Sequence, residues 1–364
     1  MNTMEETTVQ TIGADPYSDR NADMDDDTRC EQCHIHPKDK TDSEYSILCT
    51  QCREEYIRLH VPAIVILFFV ILGVIFAGAM IHMPKTVERY KIYLAAEKHI
   101  DANEYLFAYE DFSALLNVYD DSVPLILDTA DAAMNAQLFN DAADIIDENL
   151  VGKTLNERQY EHATLTTEKL GRFFNSVYAI NQIFDEADPD TASVDKLFSQ
   201  VIELLENPEN DKALLYLYLG NLSSTMEESI DYFRMACEVD EQFTYPLSTY
   251  GNALRRAQRF DDAQAACQDA VSKNACDSSS ISGLGILELL NGDKAEGLSL
   301  IQQAYAIDPD CVYVPEALVI ALCENGQRDA ALDMVNKKAE QYLFDPELQD
   351  YLDGTIDLQQ YYID

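Results

Sequence analysis

An all-α chain is predicted: a solenoid of stacked helix pairs, preceded by a small four-cysteine module and one apolar helix. Three observations predict it. First, the last third repeats every 34 residues: Tyr250-Gly251 returns as Leu284-Gly285, and Ala263, Cys267 and Ala270 return as Gly297, Ile301 and Ala304. A unit of that length is a helix-turn-helix that cannot bury its apolar face alone and must stack on its neighbours. Second, Val61 to Ile81 runs without a charged side chain. Third, Cys30, Cys33, Cys49 and Cys52 form two tight pairs, whereas Cys237, Cys267, Cys276, Cys311 and Cys323 are scattered over apolar positions, as free core thiols are.

Charge narrows the function classes. With 364 residues, 47% of them hydrophobic, the chain has material for two or three domains, yet its formal charge is −41. Phosphates would be repelled, so nucleic-acid binding is excluded for the bulk of the chain, and basic partners are weakly favoured. Acidic outer helix faces also keep a long solenoid in solution.

Residues 1–28 form an acidic tail without apolar period, ending in Asp25-Asp26-Asp27, and are expected to be disordered. Residues 29–58 hold the module. Two C-x-x-C pairs separated by fifteen residues suit four thiolates around a tetrahedral Zn2+, whose binding would supply the folding energy that so short a stretch lacks. The module resembles a zinc ribbon or knuckle. Other chemistries use similar pairs. A rubredoxin-like iron site has glycines after each pair that are missing after Cys33 and Cys52. A c-type haem would attach through Cys30, Cys33 and His34, leaving the second pair unexplained. A redox dithiol would belong at a helix start.

Residues 61–81 would reach roughly 31 Å as a helix, the thickness of a bilayer core. The stretch is too long and too far from the start for a secretory signal, so a single membrane span is expected. Gly73 and Ala77, spaced small-x-x-x-small, would let two such helices approach, making a homodimer possible. The flanking charges, Arg53 and Arg58 against Lys85, Arg89 and Lys91, mildly favour cytoplasmic repeats. Thiolate zinc sites persist best in a reducing cytosol, and long domains translocate regardless of charge. The expectation is a cell-membrane protein with a cytoplasmic N-terminus and extracytoplasmic repeats.

Residues 87–345 are helical repeats. Small residues separated by 12 mark where two helices of a pair cross: Ala96 with Ala108, Ala130 with Ala142, Gly251 with Ala263, Gly285 with Gly297. Thr164 and Ser176 keep that spacing with bulkier residues, Gly220 to Ser229 shortens it to nine, and the stretch around Val194 to Leu205 is an amphipathic helix out of frame. Seven or eight pairs follow. With the helix-ending Asp308-Pro309, this pattern resembles the tetratricopeptide repeat, most strongly over 244–311, although Leu247 and Ile281 replace the usual fourth-position aromatic. Residues 346–364 are expected as one capping helix covering the last repeat with Leu348, Tyr351, Leu352 and Ile356.

The resemblance implies a right-handed superhelix that binds a protein or peptide in its groove. It places Tyr245, Ser248, Asn252, Arg255 and Arg256 on the groove side, with Asn221 in the unit before. The lysines of the family's carboxylate clamp are absent, but Arg255, Arg256 and Arg259 form a basic cluster that either pairs with acidic helices or grips an acidic partner. Arg255→Ala is expected to alter binding alone. His36, His60, His82, His99 and His162 form no metal-spaced cluster, and Gly152-Lys153-Thr154 has Asp147 where a phosphate loop needs glycine. No catalytic signature is present, so the expected function is a membrane-anchored scaffold and not an enzyme. A redox or electron-transfer assembly factor, and a transmembrane signalling element, are the alternatives. The layout also resembles bacterial membrane proteins that pair a cytoplasmic zinc ribbon with one span and an extracytoplasmic domain.

Overall fold

The computed structural model describes residues 26–41, 43–57, 62–185, 193–240, 243–339 and 341–363. The acidic tail up to residue 25, Val61 and His60 lie outside them. The chain divides into two units, Met1–Pro84 and Lys85–Asp364. Among the described residues there is no β-strand, only an isolated bridge between Arg29 and Pro37.

In the first unit a short loop module leads to α1 (Thr50–Ile57), and α2 (Ala63–Asp101) begins with the apolar stretch. Ala63–Met80 has a mean hydropathy of 3.0 and no buried side chain. Helix α2 continues through Pro84, whose missing N–H removes one helical bond without ending the helix.

In the second unit the part of α2 beyond Pro84 pairs with α3 (Tyr105–Leu116). Then come α4 (Val123–Asn135) with α5 (Phe139–Ile145, extended by a wide turn over Ile146–Leu150) and α6 (Glu157–Asp185) with α7 (Val194–Leu204). The remaining pairs are α8 (Lys212–Leu222) with α9 (Met226–Val239), α10 (Tyr245–Arg256) with α11 (Phe260–Lys273), α12 (Ser278–Asn291) with α13 (Lys294–Ile307), and α14 (Val314–Glu324) with α15 (Arg328–Lys338). Among the described residues the seven pairs form the expected solenoid of stacked helix pairs. Several starts carry a side-chain cap, as where Asp277 accepts from the Ser280 N–H and Asp211 from that of Leu214.

The small residues do what their spacing predicts. Ala96, Ala108, Ala130, Ala142 and Ala263 are wholly buried. A Cβ on Gly285 would stand 2.6 Å from Ile301 Cγ1 and 2.9 Å from the Gly297 carbonyl, and one on Gly297 would meet the Gly285 carbonyl at 2.8 Å, so α12 and α13 touch backbone to backbone. A second periodic feature lies in the turns. Asn103, Gln137, Gln258, Gly292 and Gly326 all have left-handed φ, between 58° and 93°, at the bend inside a pair, and the intervals 103 to 137 and 258 to 292 to 326 are again the repeat.

Two expectations need correction. The spacing of Thr164 and Ser176 predicts two helices of one pair, but α6 runs unbroken across both: Gly171 alone does not stop a helix, and no proline or turn pair lies between them. Ser176 instead accepts the Asp211 N–H at 2.7 Å. The single capping helix is in fact two, α16 (Pro346–Leu352) and α17 (Leu358–Ile363), separated at Gly354, whose φ of 73° ends the first.

The unit also meets itself at long range. The Asn103 side chain donates to the Ser272 carbonyl at 3.0 Å, while its own carbonyl accepts from the Ala275 N–H at 2.9 Å. Gln137 donates to the Thr244 hydroxyl, and Phe139 stacks on Phe173 at 4.1 Å with the edge of Phe243 at 5.7 Å. Turns of the first two pairs therefore rest on the fourth and fifth.

Candidate metal centre and candidate binding surface

The four module cysteines converge from two loop turns and the start of α1. Their sulfur atoms all lie within 4.8 Å of one another, and Cys30, Cys49 and Cys52 are buried. The backbone builds the cradle: the Cys30 N–H bonds to the His36 carbonyl at 2.8 Å, Glu31 N–H to Ile47 at 3.0 Å, His34 N–H to Cys30 at 2.9 Å and Arg53 N–H to Cys49 at 2.9 Å. His34 has φ 55°, the left-handed turn for which glycine is the usual choice. Histidine fills the position a glycine would take after the first pair. Asp39 locks the start of α1, accepting from Thr41, from Thr50 at 2.8 Å and from Arg53 at 2.9 Å. The Thr41 hydroxyl above all holds its carboxyl down to about 2.

The donor set fits a tetrahedral metal. Cys33 Sγ and Cys49 Sγ are 3.8 Å apart, and all nine cysteines are free. A disulfide would bring sulfurs to about 2.0 Å, whereas four thiolates at about 2.3 Å from a tetrahedral ion are separated by about 3.8 Å. Backbone N–H groups of His36 and Ile35 lower the Cys33 thiol to about 5, with the His36 ring 3.7 Å away. Cys52 is pushed up to about 12, first by its hydrogen bond to Cys49 and then by burial. Four sulfurs in one place oppose full ionisation, and a dication removes that opposition.

The residues expected to line the partner groove separate into two sets. Asn221 and Arg256 are exposed, Tyr245 is half exposed at the start of α10, and Asn252 is partly buried. Ser248 and Arg255 are buried. The Ser248 hydroxyl donates to the Tyr245 carbonyl at 2.9 Å. Arg255, 8% exposed, donates to the Tyr362 carbonyl and sits 5.0 Å over the Tyr362 ring. Burial pulls its guanidinium below the ordinary arginine value. This placement differs from the free groove cation expected, because the chain's own C-terminal segment lies on it. Arg259 pairs with Asp262 on its own helix at 2.8 Å, the i,i+3 partner its spacing allows.

Sequence reasoning passed over Glu316, Tyr361 and Tyr362. Glu316 is buried at the start of α14, accepting from the Tyr361 hydroxyl and from the Asp345 N–H at 2.9 Å. The available signal was an aromatic pair at the end of a polar tail. His99 and His162 bond to Glu104 and Asp131, each at 2.5 Å, within the repeats. Lys153 pairs with Asp121, in a turn where Gly152 has φ 84°, so the lysine of that short motif serves the fold.

No family model and no curated protein matches the chain. Among solved structures, a MamA protein aligns at 18% identity over 47% of this chain and 96% of its own, with a TM-score of 0.33. YrrB, described as a tetratricopeptide-repeat protein with an unusual peptide-binding site, aligns at 14% over 58% of this chain and 98% of its own, TM-score 0.30. A tetratricopeptide-repeat protein from Parabacteroides merdae aligns at 14% over 75% of this chain and 87% of its own, TM-score 0.32.

Proposed function

We propose that the chain is a single-pass membrane scaffold: a zinc-holding module on one side of the bilayer, and a helical solenoid on the other that binds a protein or peptide. The observation that carries the membrane part is the bare apolar face of α2. Twelve large apolar side chains between Ile64 and Met80 are exposed. Leaving each in water costs about 1.5–3 kcal/mol, which together exceeds the roughly 5–15 kcal/mol by which a domain is stable. Lipid removes that cost. A Cβ on Gly73 would meet nothing within 4 Å, which leaves room for a second copy of the helix to approach. The four-sulfur geometry supports structural Zn2+, and reducing conditions for thiolates support a cytoplasmic N-terminus with extracytoplasmic repeats.

The test has three readouts. Alkaline carbonate extraction of membranes should leave the chain in the pellet. Elemental analysis of the detergent-solubilised protein should find one equivalent of zinc, with no iron and no haem absorbance. Protease added outside intact cells should cleave the repeats and spare the module. Recovery in the carbonate supernatant would remove the membrane anchor, and iron or a haem band would move the chain to electron transfer.

A further inference from the structure

The starts of the first helices in the last three pairs carry an aromatic row. Tyr245 opens α10, Ser279 stands one repeat on in the first turn of α12, and Tyr313 comes one repeat further, just before α14, with 34 residues between each and the next. The row continues into the loop before α16 with Tyr342, Leu343 and Phe344. Its members meet one another. The Tyr313 N–H donates to the Tyr342 hydroxyl at 3.0 Å, the Tyr342 ring meets Phe344 edge-on at 4.8 Å, and Cys311 Sγ lies 3.8 Å from the Ser279 hydroxyl. Burial first, and then the neighbouring Tyr313 and Cys311, raise the Tyr245 phenol above the ordinary tyrosine value, so Tyr245 and Tyr313 converge over Cys311 and the small Ser279.

The fold does not account for these side chains. From Thr244 to Ile363 the described residues expose six large apolar side chains; Tyr245, Val312, Tyr313 and Leu343 belong to this row, and only Phe260 and Leu332 lie elsewhere. Single exposed apolar residues need no explanation, whereas a contiguous patch marks a contact surface. Tyr313 is the clearest case. Its φ of 71° is left-handed and falls outside the periodic bends within the pairs, and a residue this bulky is an outlier there. Glycine would give Tyr342 the same N–H without the steric penalty, and the Tyr313 ring is 65% exposed, so burial within the chain returns little for the strain.

Charge decides what covers the row. The charged groups acting on it are acids, Asp308 and Asp277 on Cys311 and Glu316 on Tyr342. From residue 240 to 364 the sequence holds 22 Asp and Glu against 8 Lys and Arg. Lys338, the cation bonded to the turn before α14, is engaged by Asp310 at 2.7 Å and the Pro309 carbonyl at 3.2 Å, with its amine 5.8 Å over the Tyr305 ring. A cation held between a carboxylate and a phenol is thus already an arrangement this surface makes. Electron-rich ring faces backed by carboxylates attract cations, and a flat guanidinium stacks on them where a compact ammonium does not. We infer that the row from Tyr245 to Phe344 docks a basic segment of a protein partner, with arginine guanidinium groups on Tyr245 and Tyr313 and their aliphatic stems on Val312 and Leu343. This rests on the scaffold reading of the same solenoid and gives its partner a chemistry.

The experiment uses the full chain in detergent with its Tyr313→Gly and Tyr245→Ala variants. The probes are fluorescent synthetic peptides at physiological ionic strength: alternating arginine and glycine, alternating lysine and glycine, and an uncharged proline-rich peptide. The arginine peptide should bind the parent about tenfold more tightly than the lysine peptide, and Tyr313→Gly should remove about that factor, as the loss of one cation–π contact does. Glycine suits the left-handed turn, so this variant should melt no lower than the parent and its weaker binding is not a folding defect. Tyr245→Ala, at a half-exposed helix start, should weaken the same peptide and guards the test should Tyr313→Gly prove unstable. Equal binding of the arginine and lysine peptides, or arginine binding that neither variant changes, overturns the inference and leaves only a general attraction to an acidic chain. Tighter binding of the proline-rich peptide overturns it in favour of an apolar partner. Crosslinking in native membranes separates the two readings: a parent chain that retains no protein counts against the scaffold, whereas a protein retained equally by the parent and by Tyr313→Gly counts against this surface alone.

Discussion

The cysteine module and the repeat unit solve the same problem with opposite means. Among the described residues between Thr28 and Ile57 the buried side chains are Cys30, Cys49 and Cys52, and the cluster around them adds Cys33 and Leu48. From Lys85 onward, burial is spread over alanine, leucine, isoleucine and phenylalanine in successive clusters, none of which depends on one residue. A stretch this short removes too little apolar surface to offset the chain entropy it loses, so its order hangs on one polar centre. The repeats lose far more entropy but recover it in many small contacts. The difference teaches where each part is fragile: the module fails all at once, the solenoid by degrees.

The largest expected effect breaks the module alone. Replacing Cys49 and Cys52 by Ser should abolish zinc binding, forfeiting the roughly 10–16 kcal/mol that structural zinc supplies. The module's amide resonances should collapse to random-coil shifts while the thermal transition of the repeats stays in place. A module that kept its dispersion without metal would undo the contrast.

Next comes an overpacked crossing. Gly285→Leu drives a side chain into Ile301 and the Gly297 backbone and should cost about 3 kcal/mol or more in urea unfolding. Gly171→Ala, where a Cβ meets nothing within 4 Å of α6, should instead stabilise by about 0.5–1 kcal/mol. Similar losses at both sites would mean that α12 and α13 are not in backbone contact.

A smaller effect is expected at the tail. Tyr361→Phe removes a donor from buried Glu316 and should cost the last pairs about 1–2 kcal/mol, read by limited proteolysis after α15. Smallest is a pH dependence. Burial raises Glu316 above the ordinary glutamate range, so the folded state holds its proton more tightly than the unfolded state does. Stability from this group is therefore greatest at acid pH and is lost as pH rises from its unfolded value through its folded one. Thermal scans at successive pH values should show Glu316→Gln with a shallower decline than the parent. Parallel curves would show that Glu316 is solvated.

Much of this organisation is legible in the residues. Small side chains at a spacing of 12 announce the crossings because only they permit backbone approach, and the two C-x-x-C pairs announce four converging sulfurs because two short turns reach one point. Other features left no usable trace. The left-handed turns fall on Asn103, Gln137 and Gln258, and glutamine carries no preference for that conformation, so the period of the bends is hidden where the glycines of 292 and 326 are absent. The unbroken α6 comes from the lack of a stop signal, which is hard to weigh against a repeat frame. Arg255 looked like a surface cation because nothing local tells that residues 107 positions later will cover it.

The contacts of Asn103 with Ser272 and Ala275 bear on how such a chain can change over time. A plain stack of repeats tolerates the gain or loss of a unit, since each new junction copies an old one. Here the first bend must land on the end of α11, 169 residues away. Inserting or deleting one 34-residue unit between them would carry the bend past its partner. A change in the number of pairs before the end of α11 would therefore break these two contacts, whereas one beyond it would leave them in place.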